Sequence, residues 1–284
     1  FELRDPTALA RAIIARWWVA ILEGDLVVRI GHNGESKYVI EASTLRDTID
    51  SLDWEVEDDK IGSKNTRNPA KISIQQWHAL IDLHDWAETA PEEACFTTEI
   101  AGNSNNAKPA SPGWNDLLSE EQVEQMKERT RSGLNSKVTL RTYVHRADAK
   151  IGDGEAPTEV GEACILFAPA SEAEQVQFFT RRGMTVPFAK QCQGALAIVS
   201  CDSTILEELL RHSEGPAHLQ WSKGAPRVIT SGELWKKGGA TVTLVVDSVS
   251  EIVGLTQEKE YEESDLNSDF IYILPGDGPR RPPR

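Results

Sequence analysis

The chain has 284 residues, a formal net charge of −15 at pH 7 and an isoelectric point near 4.9. This length is sufficient for one large domain or two small ones with a buried core. The acidic excess argues against direct nucleic-acid binding over a general surface, because phosphate contact needs concentrated lysine and arginine. A single local basic site is still compatible with this charge.

The first half of the chain is predicted to be mainly helical, with one β-hairpin. Asp5 and Pro6 form a helix start, with the aspartate as N-cap and the proline in the first turn. Gly24 ends this helix. The other predicted elements of this half are hairpin strands over 26–30 and 37–40, a short helix over 43–52, a loop over 53–71 and an amphipathic helix over 74–86.

The second half is predicted to contain mostly strands, with closing helices. Residues 230–255 could form either a long helix or a strand. A double glycine and a valine-rich run within them disfavour the helix. The other predicted elements are a linker over 101–113, a helix from 116 or 119 to 130, strands over 138–144, 162–170, 176–186 and 194–202, and a helix over 204–212.

These elements predict an α+β fold with a mixed sheet and packed helices. Residues 1–113 are predicted to form a helix-rich N-terminal part with a small β-hairpin, and residues 114–255 an α+β part. Residues 256–284 are acidic and then rich in proline and arginine, which is typical of a tail.

The cysteines and the apolar runs indicate a compartment. The four cysteines have no zinc-like or redox spacing, and two of them lie in apolar runs, so free buried thiols and a reducing, cytoplasmic location are predicted. No stretch approaches the ~20 apolar residues that span a bilayer, and no signal peptide is visible, so no membrane contact is expected. The cysteines are Cys95, Cys164, Cys192 and Cys201.

Arg181 and Arg182 end a predicted strand just before Gly183. In an alternating strand they would point to opposite faces, so only one could serve a shared site. An arginine at this place could bind a phosphate or carboxylate through forked, charge-assisted hydrogen bonds. The alternative is a solvated strand end that pairs with local acids such as Glu172 or Glu174.

Other chemistries lack a recognisable motif. The sequence contains no phosphate loop, dinucleotide-binding glycine pattern or hydrolase nucleophile motif. The eight tryptophans are interpreted as core anchors. The 45 acidic residues permit an unrecognised hydrolase site, but no spacing selects a carboxylate pair. Two groups contain metal-ligand residue types without recognised spacing, and no metal is expected at either; they are His78, Asp82 and Asp85, and His212, Glu214 and His218.

Three segments together resemble the region after the ATPase domain in prokaryotic GHKL-type ATP-binding proteins, the superfamily of gyrase B, MutL, the large heat-shock chaperones and histidine kinases. They are RDPTALARAIIARWWVAILEGDLVVRI, FFTRRGMTV and ILEELLRHSEGPAHLQW. The superfamily's Glu/Asn helix and DxGxG-like motif are not found in this sequence. The chain also begins with Phe1 rather than methionine. The resemblance therefore implies that ATP and Mg²⁺ bind in an ATPase domain upstream of Phe1, and that this chain holds no cofactor itself.

In related ATPases, a βαβ transducer domain presents a basic residue to the γ-phosphate. The resemblance thus implies a βαβ unit in the second half of this chain and names Arg181 or Arg182 as the phosphate contact, with Lys190 as a weaker third candidate. The resulting hypothesis is a transducer region that is not catalytic alone. It would relay the ATP state to a homodimer or protein partner, for example in bacterial defence or DNA transactions. The alternative is a stand-alone interaction module whose acidic surface engages a basic protein.

Overall fold

A computed structural model describes most of the two predicted parts of the chain. The predicted tail from residue 258 onward lies outside the described residues, as do nearly all of the predicted linker and most of the loop over 53–71. The described residues are 5–32, 35–54, 72–100, 113–146, 158–171, 175–186, 194–214, 221–222, 224–225, 228, 235–236 and 238–257.

The described residues form an α+β structure, which confirms the predicted fold class. The helices are α1 (Pro6–Leu22), α2 (Leu45–Ser51), α3 (Ile74–Glu88), α4 (Trp114–Leu117), α5 (Glu120–Arg131), α6 (Thr204–Ser213) and α7 (Gly238–Thr256). The strands are β1 (Val28–His32), β2 (Glu35–Ile40), β3 (Cys95–Ile100), β4 (Ser136–Arg146), β5 (Thr158–Pro169), β6 (Val176–Arg181), β7 (Met184–Val186), β8 (Ala195–Ser200) and β9 (Trp235–Lys236).

One mixed sheet of seven strands organises the structure, in the order β3-β4-β5-β8-β6-β7, with β9 paired to β4. The pairs β3/β4 and β6/β8 are parallel, and the other pairs in this sheet are antiparallel. The parallel strands β3 and β4 are separated along the chain by α4 and α5, which makes a βαβ unit. This unit begins at Cys95, before the predicted boundary at residue 114. The strands β1 and β2 form a separate antiparallel hairpin, as predicted.

Each face of the sheet buries its own apolar cluster. The first face packs against α1, α2 and α3, and the second against α4, α5, α6 and α7. The alternation of side chains along β6 serves both clusters, since Phe178 lies in the first and Phe179 in the second. Residues of both predicted parts, 1–113 and 114–255, therefore contribute to one sheet and to each of its two cores.

The helix starts follow the local sequence signals. The Asp5 carboxylate accepts a hydrogen bond from the Thr7 backbone N–H at 2.8 Å at the start of α1. The helix α3 begins with a reciprocal capping box, in which Ser73 and Gln76 each accept a hydrogen bond from the other's backbone N–H. The chain leaves α1 through Gly24, whose φ of +82° is a left-handed conformation that suits glycine.

Three predictions of local structure need correction or completion. The strand β3 was missed, although Phe96 and Thr98 alternate as its buried residues. The segment 176–186 is not one strand but the antiparallel pair β6 and β7. The sequence left both helix and strand open over 230–255. The structure has a helix from Gly238 to Thr256, the helix α7. Its valines are tolerated because tertiary packing outweighs their weak helix propensity.

The helix α7 also corrects the expectation that no segment is long enough to span a bilayer. It is the one helix of the described residues whose length and composition would permit a membrane crossing. Much of its apolar surface lies against the second face of the sheet, with Val245, Val249 and Ile252 fully buried. The indole N–H of Trp114 donates a hydrogen bond to the Leu244 carbonyl at 3.3 Å, which ties α4 to this helix.

Candidate functional site

The two predicted arginines lie at a tight turn rather than along a strand. Arg181 is the last residue of β6, and Arg182 and Gly183 form the connection to β7 with φ angles of +48° and +68°. Positive φ at both positions is what a two-residue type I′ hairpin requires. The prediction that the two side chains point to opposite faces is therefore wrong, because Arg182 has left the strand conformation.

Arg181 is a buried cation whose guanidinium is enclosed by carboxylates of its own fold. The residue is 8% exposed. Its Nε donates to Glu214 Oε1 at 3.0 Å, and its Nη1 donates to Glu207 Oε1 at 2.8 Å. Its Nη2 donates to Glu214 Oε2 at 3.3 Å. This arrangement uses three of the five guanidinium N–H donors for carboxylates of the fold, so Arg181 is less available to a phosphate than a more exposed arginine would be.

The helix α6 and the residue that follows it supply these carboxylates. Glu207 and Glu214 are both 8% exposed, and Glu214 also accepts a hydrogen bond from the Trp221 indole at 3.0 Å. Buried carboxylates are stable only when charge and hydrogen bonds compensate their loss of water. The ion cluster thus joins β6 to α6. The predicted alternative partners, Glu172 and Glu174, lie outside the described residues.

Arg182, unlike Arg181, is mostly exposed to solvent. Its side chain is 60% exposed, and its Nε forms an ion pair with Glu207 Oε2 at 2.9 Å. Its backbone N–H donates to the Asp202 carboxylate at 2.8 Å, which ties the turn to a residue just after β8. The third candidate, Lys190, lies outside the described residues. Of the two described candidate arginines, Arg182 is therefore the more accessible to an external anion.

The helix α1 packs directly on the turn. The Ala20 backbone N–H donates to the Gly183 carbonyl at 3.3 Å. A Cβ atom on residue 183 would lie 2.7 Å from the Cβ of Ala20, so only glycine fits here without a shift of α1 or the turn. Arg16, one helical turn before Ala20, lies close enough to the cluster that Glu214 and Arg181 influence its charge; burial lowers its pKa most, Glu214 opposes this, and Arg181 adds to it.

A second polar feature lies on the first face of the sheet, between the ends of α1 and α3. It is a cavity of about 200 Å³ at the carboxyl ends of the parallel strands β6 and β8. Thr180 and Ser200 line it from the sheet. Sequence analysis gave no sign of this cavity. Its titratable lining residues are Glu23, His84, Glu88, Lys137, Cys164 and Asp202.

Partial loss of water raises the pKa values of three groups that line this cavity, although Glu23 and Asp202 are exposed residues. It raises the pKa of Glu23, an effect that the nearby His84 opposes, and His84 Nε2 lies 3.3 Å from Glu23 Oε1. Burial also raises the pKa of Asp202, and the hydrogen bond from the Arg182 backbone N–H opposes this effect by lowering the pKa. Burial raises the pKa of the Cys164 thiol to about 11, so this cysteine is not a thiolate nucleophile near neutral pH.

The cysteines only partly follow the prediction of buried free thiols. Cys201 is buried, Cys164 is partly buried and Cys95 is exposed, and all three are free. Cys192 lies outside the described residues. Cys95 is exposed because it is the first residue of β3, and the alternation of that strand directs Phe96 rather than Cys95 into the core.

The acids of the first predicted metal-ligand group hold an arginine. Arg46 Nη2 donates to Asp82 Oδ1 at 2.8 Å and to Asp85 Oδ2 at 3.0 Å. His78 Nε2 lies 2.6 Å from Asp50 Oδ1. In the second group, Glu214 binds Arg181, and His218 lies outside the described residues. Throughout the ranges that the structure describes, no cluster of histidine, cysteine and acidic side chains is arranged to hold a metal ion.

Comparison with known proteins adds no relative. No protein-family model matches the chain, and neither the curated proteins nor the solved structures include a significant match to it.

Proposed function

We propose that this chain is the coupling, transducer-like part of a GHKL-type ATPase, and that Arg182 contacts the γ-phosphate of ATP bound by a separate domain. The observation that carries the proposal is the state of Arg182. It is a largely exposed guanidinium on a turn whose backbone is hydrogen bonded to Asp202 and α1, and its carboxylate partner is shared with a second arginine. The remaining support is the three-segment resemblance and the α+β architecture with a βαβ unit.

Because Arg182 shares its carboxylate partner with Arg181, Arg182 can exchange Glu207 for a phosphate at a low cost in free energy. Glu207 Oε2 pairs with Arg182, whereas Glu207 Oε1 pairs with Arg181 at 2.8 Å. If Arg182 turns to an incoming phosphate, Glu207 keeps the Arg181 cation and is not left as an unpaired buried charge. The Arg182 side of this ion pair is 60% exposed, which weakens the pair relative to a fully buried one, whereas a charge-assisted arginine–phosphate contact is bidentate. A phosphate therefore competes well against Glu207 for this side chain.

The position of Arg182 suits a contact between domains. The strand β7 ends the strand order of the main sheet, so the turn lies at a margin of the sheet. The Asp202 carboxylate and α1 hold the turn backbone in place. Loss of the γ-phosphate after hydrolysis would return the guanidinium to Glu207. The contact would thus distinguish ATP from ADP, by the same logic through which a γ-phosphate holds the switch segments of nucleotide-dependent proteins.

The test compares Arg182→Ala with Arg141→Ala in the protein encoded by the natural reading frame that contains this chain. Arg141 is a matched control, because its Nε donates to Glu162 at 2.8 Å and both side chains are 49% exposed. We expect Arg182→Ala to lower the ATP hydrolysis rate by about tenfold or more, since the transition-state charge loses one cation. Arg141→Ala should leave the rate unchanged.

Two results would exclude the proposal. The first is an unchanged rate in Arg182→Ala, and the second is a natural reading frame without a nucleotide-binding domain. The 284-residue chain alone should hydrolyse no ATP.

A further inference from the structure

We propose that Asp202 is a positioning residue for the phosphate contact, which holds the backbone of Arg182 while the guanidinium exchanges Glu207 for the γ-phosphate. This role rests on the proposed function and goes beyond it, because neither the sequence pattern nor the resemblance indicated Asp202. Three observations support it. They are the left-handed backbone of Arg182, the hydrogen bond that its amide donates, and the contacts that hold Asp202 itself.

The backbone of Arg182 is in a conformation that arginine seldom adopts. Its φ angle is +48°, and among the residues that the structure describes it is the one residue other than glycine with a positive φ. In this region the Cβ atom crowds the following carbonyl oxygen, so the conformation persists only where surrounding contacts impose it. Asparagine and aspartate tolerate it because their short side chains hydrogen bond locally, which an arginine side chain does not do. A contact from elsewhere in the fold must therefore hold Arg182 in this conformation.

Asp202 supplies this contact. In a two-residue hairpin the first turn residue lies outside the hydrogen-bonded ladder, so its N–H needs another acceptor. The Asp202 carboxylate accepts the Arg182 N–H at 2.8 Å, across 20 residues of sequence. The Ala20 N–H holds the other turn residue, because it donates to the Gly183 carbonyl at 3.3 Å. Each residue of the turn is thus held by one hydrogen bond from outside the hairpin.

The residues on both sides of Asp202 fix its backbone. The N–H of Cys201, a fully buried residue, donates to the Thr180 carbonyl at 3.1 Å and ties the end of β8 to β6. On the other side, the hydroxyl of Ser203 accepts the Glu162 N–H at 2.9 Å. The carboxylate of Asp202 therefore has a defined position beside the turn.

Asp202 and Glu207 hold Arg182 at two separate points. Asp202 binds the backbone, and Glu207, in the first turn of α6, pairs with Nε at 2.9 Å. When a phosphate takes the guanidinium from Glu207, the hydrogen bond from the backbone to Asp202 is not affected, so the side chain alone moves. Without Asp202, the turn would be free to take right-handed conformations that suit arginine better, and the guanidinium would lose its preorganised position.

The first test measures hydrogen exchange of the Arg182 amide in the isotope-labelled 284-residue chain. Asp202→Ala should lower the protection of this amide by about tenfold, because the N–H loses its acceptor. Asp202→Asn should retain most of the protection, since the asparagine carbonyl can accept the same hydrogen bond. The matched control is Asp116→Ala, which removes a carboxylate that accepts the Gly113 N–H at 3.1 Å and should leave the Arg182 amide unchanged. Unaltered protection in Asp202→Ala would overturn the role.

The second test compares the affinities for ATP and ADP in the natural protein that contains this chain. Asp202→Ala should lower the preference for ATP over ADP by about threefold or more, and Asp202→Asn should keep it. The double variant Asp202→Ala with Arg182→Ala should have the same preference as Arg182→Ala alone. A general loss of stability would not be selective for ATP.

The two proposals fail in different ways. If Arg182→Ala lowers the preference for ATP and Asp202→Ala does not, the positioning role is wrong and the phosphate contact stands. If Arg182→Ala itself has no effect, the proposed function is wrong, and the role of Asp202 fails with it.

Discussion

Replacement of Arg181 by methionine should destabilise the fold by about 3–5 kcal/mol, because it leaves buried carboxylates without their cation. Methionine is apolar and close to arginine in volume, so the change removes the charge and the hydrogen bonds while it fills much of the same space. Glu207 and Glu214 would stay in the interior, at 8% exposure each. The Trp221 indole and Arg182 would remain, but each carboxylate would lose its hydrogen bond to the buried guanidinium. The measurement is the free energy of unfolding in urea at neutral pH.

A second variant separates the buried cluster from ordinary surface pairing. Arg141→Met removes an ion pair of similar length, 2.8 Å, whose two side chains are half exposed. It should cost less than about 1 kcal/mol, because water replaces the lost partner. The interpretation of Arg181 as a structural cation would be wrong if the two variants had the same stability. Restoration of stability by Glu207→Gln and Glu214→Gln in the Arg181→Met background would identify the unpaired carboxylates as the cause.

The second large effect is expected for Gly183→Ala, which should cost about 2–5 kcal/mol. Part of this cost is the left-handed backbone at φ +68°, where an L-residue pays about 1–2 kcal/mol. The rest arises because the new Cβ would lie 2.7 Å from the Cβ of Ala20 and 3.0 Å from its backbone nitrogen. The helix α1 or the turn must therefore move, and Arg182 moves with the turn.

Gly133→Ala is the matched control for this prediction. Gly133 has nearly the same φ, +69°, but a Cβ added there would have no neighbour within 4 Å. Its cost should be the backbone contribution alone, about 1–2 kcal/mol. The excess loss in Gly183→Ala, read from the two urea midpoints, measures how tightly α1 holds the turn. Equal losses at the two glycines would mean that α1 does not constrain the arginine turn.

The helices were predictable from sequence because their signals are local. Asp5 and Pro6 mark the start of α1, and the capping box at Ser73 marks the start of α3. The turn at Arg182 was missed because it has no such local signal. Arg-Gly is not one of the pairs, such as Asn-Gly, that announce a type I′ hairpin, and here the packing of α1 on Gly183 supports the conformation.

The chemistry of the arginines could not be read from local pattern. Arg181 meets Glu207 and Glu214 across 26 and 33 residues of sequence, because α6 packs on the same face of β6. A sequence shows which residues carry charge but not which of them the fold brings together. The cavity is an extreme case, since Glu23, His84 and Asp202 come from three distant elements. The alternation argument assumed that Arg182 continues the strand, and it failed because Arg182 lies in the turn.

The most direct measurement of the central claim is the affinity of the natural protein for ATP and for ADP, with and without Arg182. A guanidinium that contacts only the γ-phosphate contributes to ATP binding and not to ADP binding. We therefore expect Arg182→Ala to weaken ATP binding by about tenfold and to leave ADP binding unchanged. Equal weakening of both nucleotides, or no change in either, would show that Arg182 does not read the γ-phosphate and would contradict the proposed coupling role.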